Sequence, residues 1–221
     1  MYKAIVYKEW IKLRWFLLIM LGITLAVHLK IFIMLRSAVV AKGAYHLWYM
    51  AAVKQAVFYG DIMWLAPFIG LVTALAQFVP ETGKSRLRIL FHLPLPHDVS
   101  LVCMLGVGCL WVGGLCGVSA LCLAVTMGTY FPPELVMSAL VTAAPWFLAS
   151  VPAYFGTVLA MVETAWWRKV VYGVVAYGLV LLMMKETMGF FEWSLGWYAL
   201  AFALYLPTVL LPAHRFKRGI V

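Results

Sequence analysis

The chain has 221 residues, 66% of them hydrophobic and 11% charged, with a mean hydropathy of +0.98. A soluble domain is about half apolar and about a quarter charged, so a water-soluble globule is excluded and most of this surface has lipid as its solvent. The net charge of +9 belongs mainly to Lys and Arg that flank apolar runs, a pattern of membrane topology and anionic headgroups rather than of nucleic-acid binding.

The opening sixteen residues read MYKAIVYKEWIKLRWF. Tyr2, Ile5, Val6, Trp10 and Leu13 can share an apolar face, with Lys3, Lys8, Lys12 and Arg14 mostly elsewhere. Residues 1–14 therefore read either as an interfacial helix in the headgroup plane or as a positively charged topology signal. Six apolar segments of spanning length are expected, at about 15–35, 62–80, 99–128, 134–162, 170–186 and 194–213. The first is too long for a signal-peptide core and is read as a retained span. The third and fourth exceed the ~20 residues a bilayer needs, which implies tilt, kinks or extension beyond it.

Between the first two spans, residues 36–61 form the longest exterior connection, aromatic and weakly apolar, with room for an amphipathic helix. The third span carries all four cysteines, Cys103, Cys109, Cys116 and Cys122; their spacing matches no metal or redox motif and reads as apolar packing. Gly113 and Gly117 form a GxxxG pair there, suited to close helix packing. Pro145 and Pro152 interrupt the hydrogen-bond ladder expected of the fourth span, and Pro207 and Pro212 do so near the end of the sixth.

Orientation follows from the basic residues. With the N-terminus inside, twelve Lys and Arg fall inside and five outside, which puts both termini, and the stretch Glu81 to Pro96, in the cytoplasm. Polar chemistry is sparse. His28 and Lys30 sit in the outer half of the first span, where ionisable groups invite a functional reading and Lys30 can snorkel. His92 and His97 read as polar loop residues rather than haem or metal ligands. Glu163 stands within reach of Arg168 or Lys169. The sequence contains no HExxH, GxSxG or phosphate-loop motif. No catalytic residue, metal or cofactor of its own is therefore assigned, and the chain is expected not to be an enzyme by itself.

The stretch ETGKSRLRILFHLPLP, residues 81–96, joins the second and third spans. Thr82 is a possible N-cap. Leu87, Leu90 and Phe91 make an apolar ridge at i, i+3, i+4, while Lys84, Arg86 and Arg88 point elsewhere. Pro94 and Pro96 end the helix. A short helix with one greasy side thus lies across one membrane surface.

This arrangement resembles the permease subunits of ATP-binding-cassette exporters of the second type. The resemblance rests on the basic Lys8-Glu9-x-x-Lys12 phrase, with Arg14, before six spans. It rests also on the loop phrase of an acid, a Gly/Ser/Thr element, a leucine-rich turn and Leu-Pro-Leu-Pro, here Glu81, Thr82–Gly83, Leu87 to Leu93, Pro94, Leu95 and Pro96. The Leu-Pro-Leu-Pro ending also resembles the permease of the cytochrome c maturation haem exporter. Topology is matched along the whole chain, motif over about thirty-five residues, and Glu81 stands alone where the family is usually richer in acids.

The resemblance implies an all-α membrane protein forming one permease domain over residues 1–221: six transmembrane helices, an N-terminal interfacial helix and a cytoplasmic coupling helix at 81–96. It implies that Glu81, Gly83, Arg86, Leu87, Arg88, Leu90, Phe91 and Pro94 engage separate ATPase subunits, which would hold ATP and Mg. A second permease copy or a homologous permease would complete a path lined by spans one, two and five. The location implied is a bacterial cytoplasmic membrane, the cargo hydrophobic or amphipathic. The competing expectations are a non-transporting anchor or maturation subunit that recruits a complex, and a membrane enzyme acting on lipid or haem.

Overall fold

A computed structural model describes residues 2–82, 97–184, 195–203 and 208. Among the described residues every regular element is an α-helix. They are α1 (Tyr2–Lys42), α2 (Ala44–Ala52), α3 (Asp61–Thr82), α4 (His97–Gly128), α5 (Pro133–Val162), α6 (Trp166–Met183) and α7 (Leu195–Ala203). Five of these, α1, α3, α4, α5 and α6, are long and apolar enough to cross a membrane. Of the sixth expected span, 194–213, the described residues include only the nine-residue α7 and Thr208; all of the 83–96 stretch lies outside the described residues.

The side chains are distributed inside out relative to a soluble protein. Leu18, Ile19, Leu25, Leu29 and Ile33 are exposed along α1, while Thr24, His28, Thr73, Gln77 and Ser119 are buried. Lipid imposes no cost on exposed leucine, and polar groups at bilayer depth turn inward to find partners. The chain is thus a multi-pass membrane protein by the character of its helices.

Helix α1 departs from the sequence expectation. Residues 2–14 are not a separate helix; they continue without a break into the first span, and the 41-residue helix is about 61 Å long. No proline occurs in it, and its first glycine is Gly22, so nothing local interrupts it. It ends with Lys42 in the last turn and Gly43 beyond it at φ +82°, ψ 155°, an extended positive-φ conformation open essentially to glycine. The next helix, α2, fills part of the long connection, as the sequence allowed.

The prolines of the fourth span are accommodated within one continuous helix. Pro145 and Pro152 lie inside α5, which remains helical from Pro133 to Val162. Neighbouring helices tolerate such sites when they pack tightly around them. Both prolines are buried, and α5 packs along α3 more extensively than any other pair among the described elements. Pro133 starts α5 at a position where its missing N–H costs nothing.

Two main apolar clusters fill the bundle. One gathers Leu13, Leu17, Phe78, Leu105, Phe155 and Val162; the other gathers Ile31, Tyr59, Ile62, Leu123, Phe131 and Trp146. The start of α1, the end of α3, the start of α4 and the end of α5 therefore share one end of the molecule.

Candidate functional site

At that end, α1 and α3 are joined by buried charge. Glu9 and Glu81 are 0% and 1% exposed. Lys12 Nζ lies 2.8 Å from Glu9 Oε1 and 3.0 Å from Glu81 Oε1, and Lys8 Nζ lies 2.7 Å from Glu81 Oε1. Lys8 stands 3.9 Å from Glu9. Two acids and two bases make the group neutral, which is the condition for burying so many charges together. Each carboxylate keeps one oxygen, Oε2, buried without a hydrogen-bond partner among the described residues.

The cluster brings together the two phrases on which the family resemblance rests: Lys8-Glu9-x-x-Lys12 at the head of the chain and Glu81, the first residue of the 81–96 stretch. Lys8 and Lys12, one turn apart, present both ammoniums to one side of α1. Glu81 reaches them because Pro80 does not end α3, which continues to Thr82.

Below Glu81, α3 carries a buried polar stripe at helical spacing: Gln77, Thr73 and Gly70. Tyr154 donates to Gln77 Oε1 at 2.7 Å, and Gln77 Nε2 donates to the Met104 carbonyl at 2.8 Å. One side chain of α3 thereby ties α4 and α5. Gly108 makes room for this junction, since a Cβ there would collide with the Tyr154 hydroxyl and lie 2.5 Å from Gln77 Oε1. At Gly70 a Cβ would collide with the Ser150 carbonyl of α5, so the α3–α5 approach requires glycine.

A second ion pair marks the opposite end of the same two helices: Lys30 Nζ lies 2.8 Å from Asp61 Oδ2. Glu9 and Lys30 are about 31 Å apart along α1, and Asp61 and Glu81 about 30 Å apart along α3, at 1.5 Å per residue. The hydrocarbon core of a bilayer is about 30 Å thick. The paired charges thus bracket one membrane thickness on both helices. Nearby, His28 is buried with both ring nitrogens engaged, Nδ1 donating to the Thr24 carbonyl at 2.8 Å and Nε2 meeting Ser119 Oγ at 3.3 Å. It is a satisfied bridge between α1 and α4.

An apolar cleft of about 730 Å³ opens beside α3, bounded by α5 and α6 and touched by Val27 of α1. Asp61 stands at one end of it, and Trp64, Phe68, Leu71 and Leu75 line one side.

The remaining sequence-selected residues divide into three groups. Gly83, Arg86, Leu87, Arg88, Leu90, Phe91 and Pro94 lie outside the described residues. Gly113 and Gly117 have open space within 4 Å of where a Cβ would stand, so they make no close helix contact within the described chain. Glu163 Oε1 accepts from the Thr164 and Ala165 N–H groups at 3.0 and 3.4 Å and faces Arg168 at 3.8 Å, a carboxylate at the positive end of α6. No group of three or more His, Cys, Asp or Glu suited to a metal ion occurs among the described residues.

Compared with protein-family models, with curated proteins and with solved structures, the chain matches none.

Sequence reading missed the long-range use of Lys8, Lys12 and Glu9. The available signal was scarcity: with eight acidic residues in the chain, an acid beside a span needs a nearby base. It also missed Gly70, although Ala66-xxx-Gly70-xxx-Ala74 is a small-residue pattern of the same kind as the GxxxG pair.

Proposed function

We propose that this chain is the membrane-spanning subunit of an ATP-binding-cassette exporter of the second type, moving a hydrophobic or amphipathic cargo while a separate subunit binds and hydrolyses ATP. The observation that carries this reading is the buried Lys8–Glu9–Lys12–Glu81 cluster. It fastens the foot of α3, from which the 81–96 stretch continues, to the start of α1.

In this mechanism residues 81–96 seat in a groove of the ATPase, Leu87, Leu90 and Phe91 as apolar anchors and Arg86 and Arg88 steering toward acidic surface. A push on that stretch reaches Glu81 first. Through Lys8 and Lys12 it moves α1, and through Gln77, Tyr154 and Met104 it moves α4 and α5. The bundle responds as a block rather than as separate helices. Nucleotide drives the change because it binds more tightly to the closed state of the ATPase pair. The cleft walled by α3, α5 and α6 and touched by α1 is the cargo path, so the fourth span joins the first, second and fifth in lining it, and a second permease copy or a homologous permease completes it. The chain then sits in a bacterial cytoplasmic membrane with both termini in the cytoplasm.

The test is reconstitution of the tagged chain with the proteins that purify with it. The reading predicts ATP hydrolysis in the complex and loss of transport in Leu90→Asp, with helical content and membrane insertion retained. Normal transport by Leu90→Asp, or a complex without any nucleotide-hydrolysing subunit, removes the assignment.

A further inference from the structure

The cleft beside α3 is not uniformly apolar. Among the described residues its one charged lining residue is Asp61, whose Oδ2 is held by Lys30 while the side chain remains 43% exposed. Lys30 is 66% exposed. The mouth therefore presents one anion and one cation side by side, each with capacity to bind further. From there Trp64, Phe68, Leu71 and Leu75 follow at i, i+4, i+7 and i+11 along one face of α3, all exposed. The facing walls mix small residues, Ala153, Ala160 and Gly173 among them, with the larger Met161, Tyr177 and Val180. From Asp61 to Leu75 the trough runs about 21 Å, longer than the ~15 Å depth of one leaflet's hydrocarbon. Its volume of about 730 Å³ is that of a small-molecule site, about 300–1,000 Å³.

We propose that this cleft binds a glycerophospholipid with a primary-amine headgroup, its ammonium on Asp61, its phosphate on Lys30 and one acyl chain along Trp64, Phe68, Leu71 and Leu75. The charge order decides the class. A zwitterion matches the Asp61–Lys30 pair with each charge opposite its complement. An anionic headgroup competes with Asp61 for the Lys30 ammonium that now holds it at 2.8 Å and brings no second cation to replace it. A primary ammonium also donates hydrogen bonds to the carboxylate, which a quaternary ammonium lacks. Trp64, 57% exposed at the mouth, fits the glycerol level, where amphipathic rings collect. That this lipid is the transported cargo rests on the permease reading; its binding does not.

The test uses the full chain purified in detergent, with native mass spectrometry of retained lipid under competition between phosphatidylethanolamine, phosphatidylcholine and phosphatidylglycerol. The wild type is expected to retain phosphatidylethanolamine about tenfold over phosphatidylglycerol, the scale of one charge-assisted hydrogen bond. Asp61→Asn abolishes that preference. Gly173→Phe, placed where a Cβ meets nothing within 4 Å, fills the trough and lowers retention of all three lipids while circular dichroism stays helical. Preference for phosphatidylglycerol, unchanged preference in Asp61→Asn, or no retained lipid overturns the proposal. So does a dimer that forms without lipid and is broken by Gly173→Phe, since the cleft is then an interface between copies. Loss of lipid binding with the ATPase partner still attached rejects this site and leaves the permease reading standing.

Discussion

Lys12 of α1 and Glu81 of α3 meet at 3.0 Å although 69 positions separate them. Lys12 is also held by Glu9 at 2.8 Å, so one ammonium neutralises two carboxylates that are almost wholly buried. Its removal leaves those carboxylates facing each other with only the half-exposed Lys8 between them and solvent.

Lys12→Met is therefore expected to destabilise the protein by about 3–5 kcal/mol, the cost of uncovering buried charge. Adding Glu9→Gln and Glu81→Gln to the same chain restores most of the loss, because the repulsion is then gone. Thermal unfolding in detergent, followed by circular dichroism, measures both. Equal stability of Lys12→Met and the wild type shows that the pair carries no energetic weight.

The glycines separate into two classes. Gly70→Ala and Gly108→Ala are expected to cost about 1–3 kcal/mol each through overpacking. Gly113→Ala and Gly117→Ala stay within about 0.5 kcal/mol in the monomer. Tyr154→Phe removes the hydroxyl that a Cβ at Gly108 meets, so the Gly108→Ala penalty is smaller in that background. The Gly70→Ala penalty is unaffected by it. A double-mutant cycle on unfolding midpoints reads the difference.

At the end of α1, Gly43→Ala forces an L-residue to φ +82°. The expected cost is about 1–3 kcal/mol, with no clash contribution because its surroundings are open. Unfolding of this variant beside Gly113→Ala, which lies in helix, isolates the conformational term.

The spans were legible because length and apolarity alone identify them: expected 62–80, 99–128 and 134–162 match α3, α4 and α5 within two residues at each end. The fifth is expected from 170, about four residues after α6 begins at Trp166, because Arg168 and Lys169 in its first turn interrupt the apolar run by which a span is read. The pairing of Glu163 with Arg168 was legible from their five-residue separation. Partners of Glu81 and Lys30 were not, because sequence spacing carries no information about contacts between helices. The partner of the glycine pair is illegible for the same reason, and the described residues of one chain supply none within 4 Å. A GxxxG spacing shows which side of its own helix is smooth, and only the fold decides whether a neighbour lies there. Pro145 and Pro152 each remove a ladder hydrogen bond, as their residue type dictates, and the burial that holds α5 against α3 is the tertiary effect that keeps the span helical.

The central claim, that the foot of α3 delivers the work of a separate motor, is tested most directly by photocrosslinking from position 90 in native membranes. A photoreactive side chain replacing Leu90 is expected to label a nucleotide-hydrolysing subunit in high yield, with labelling that changes when ATP is trapped. Labelling of lipid alone, or of a protein on the other side of the membrane from the ATP supply, contradicts the account.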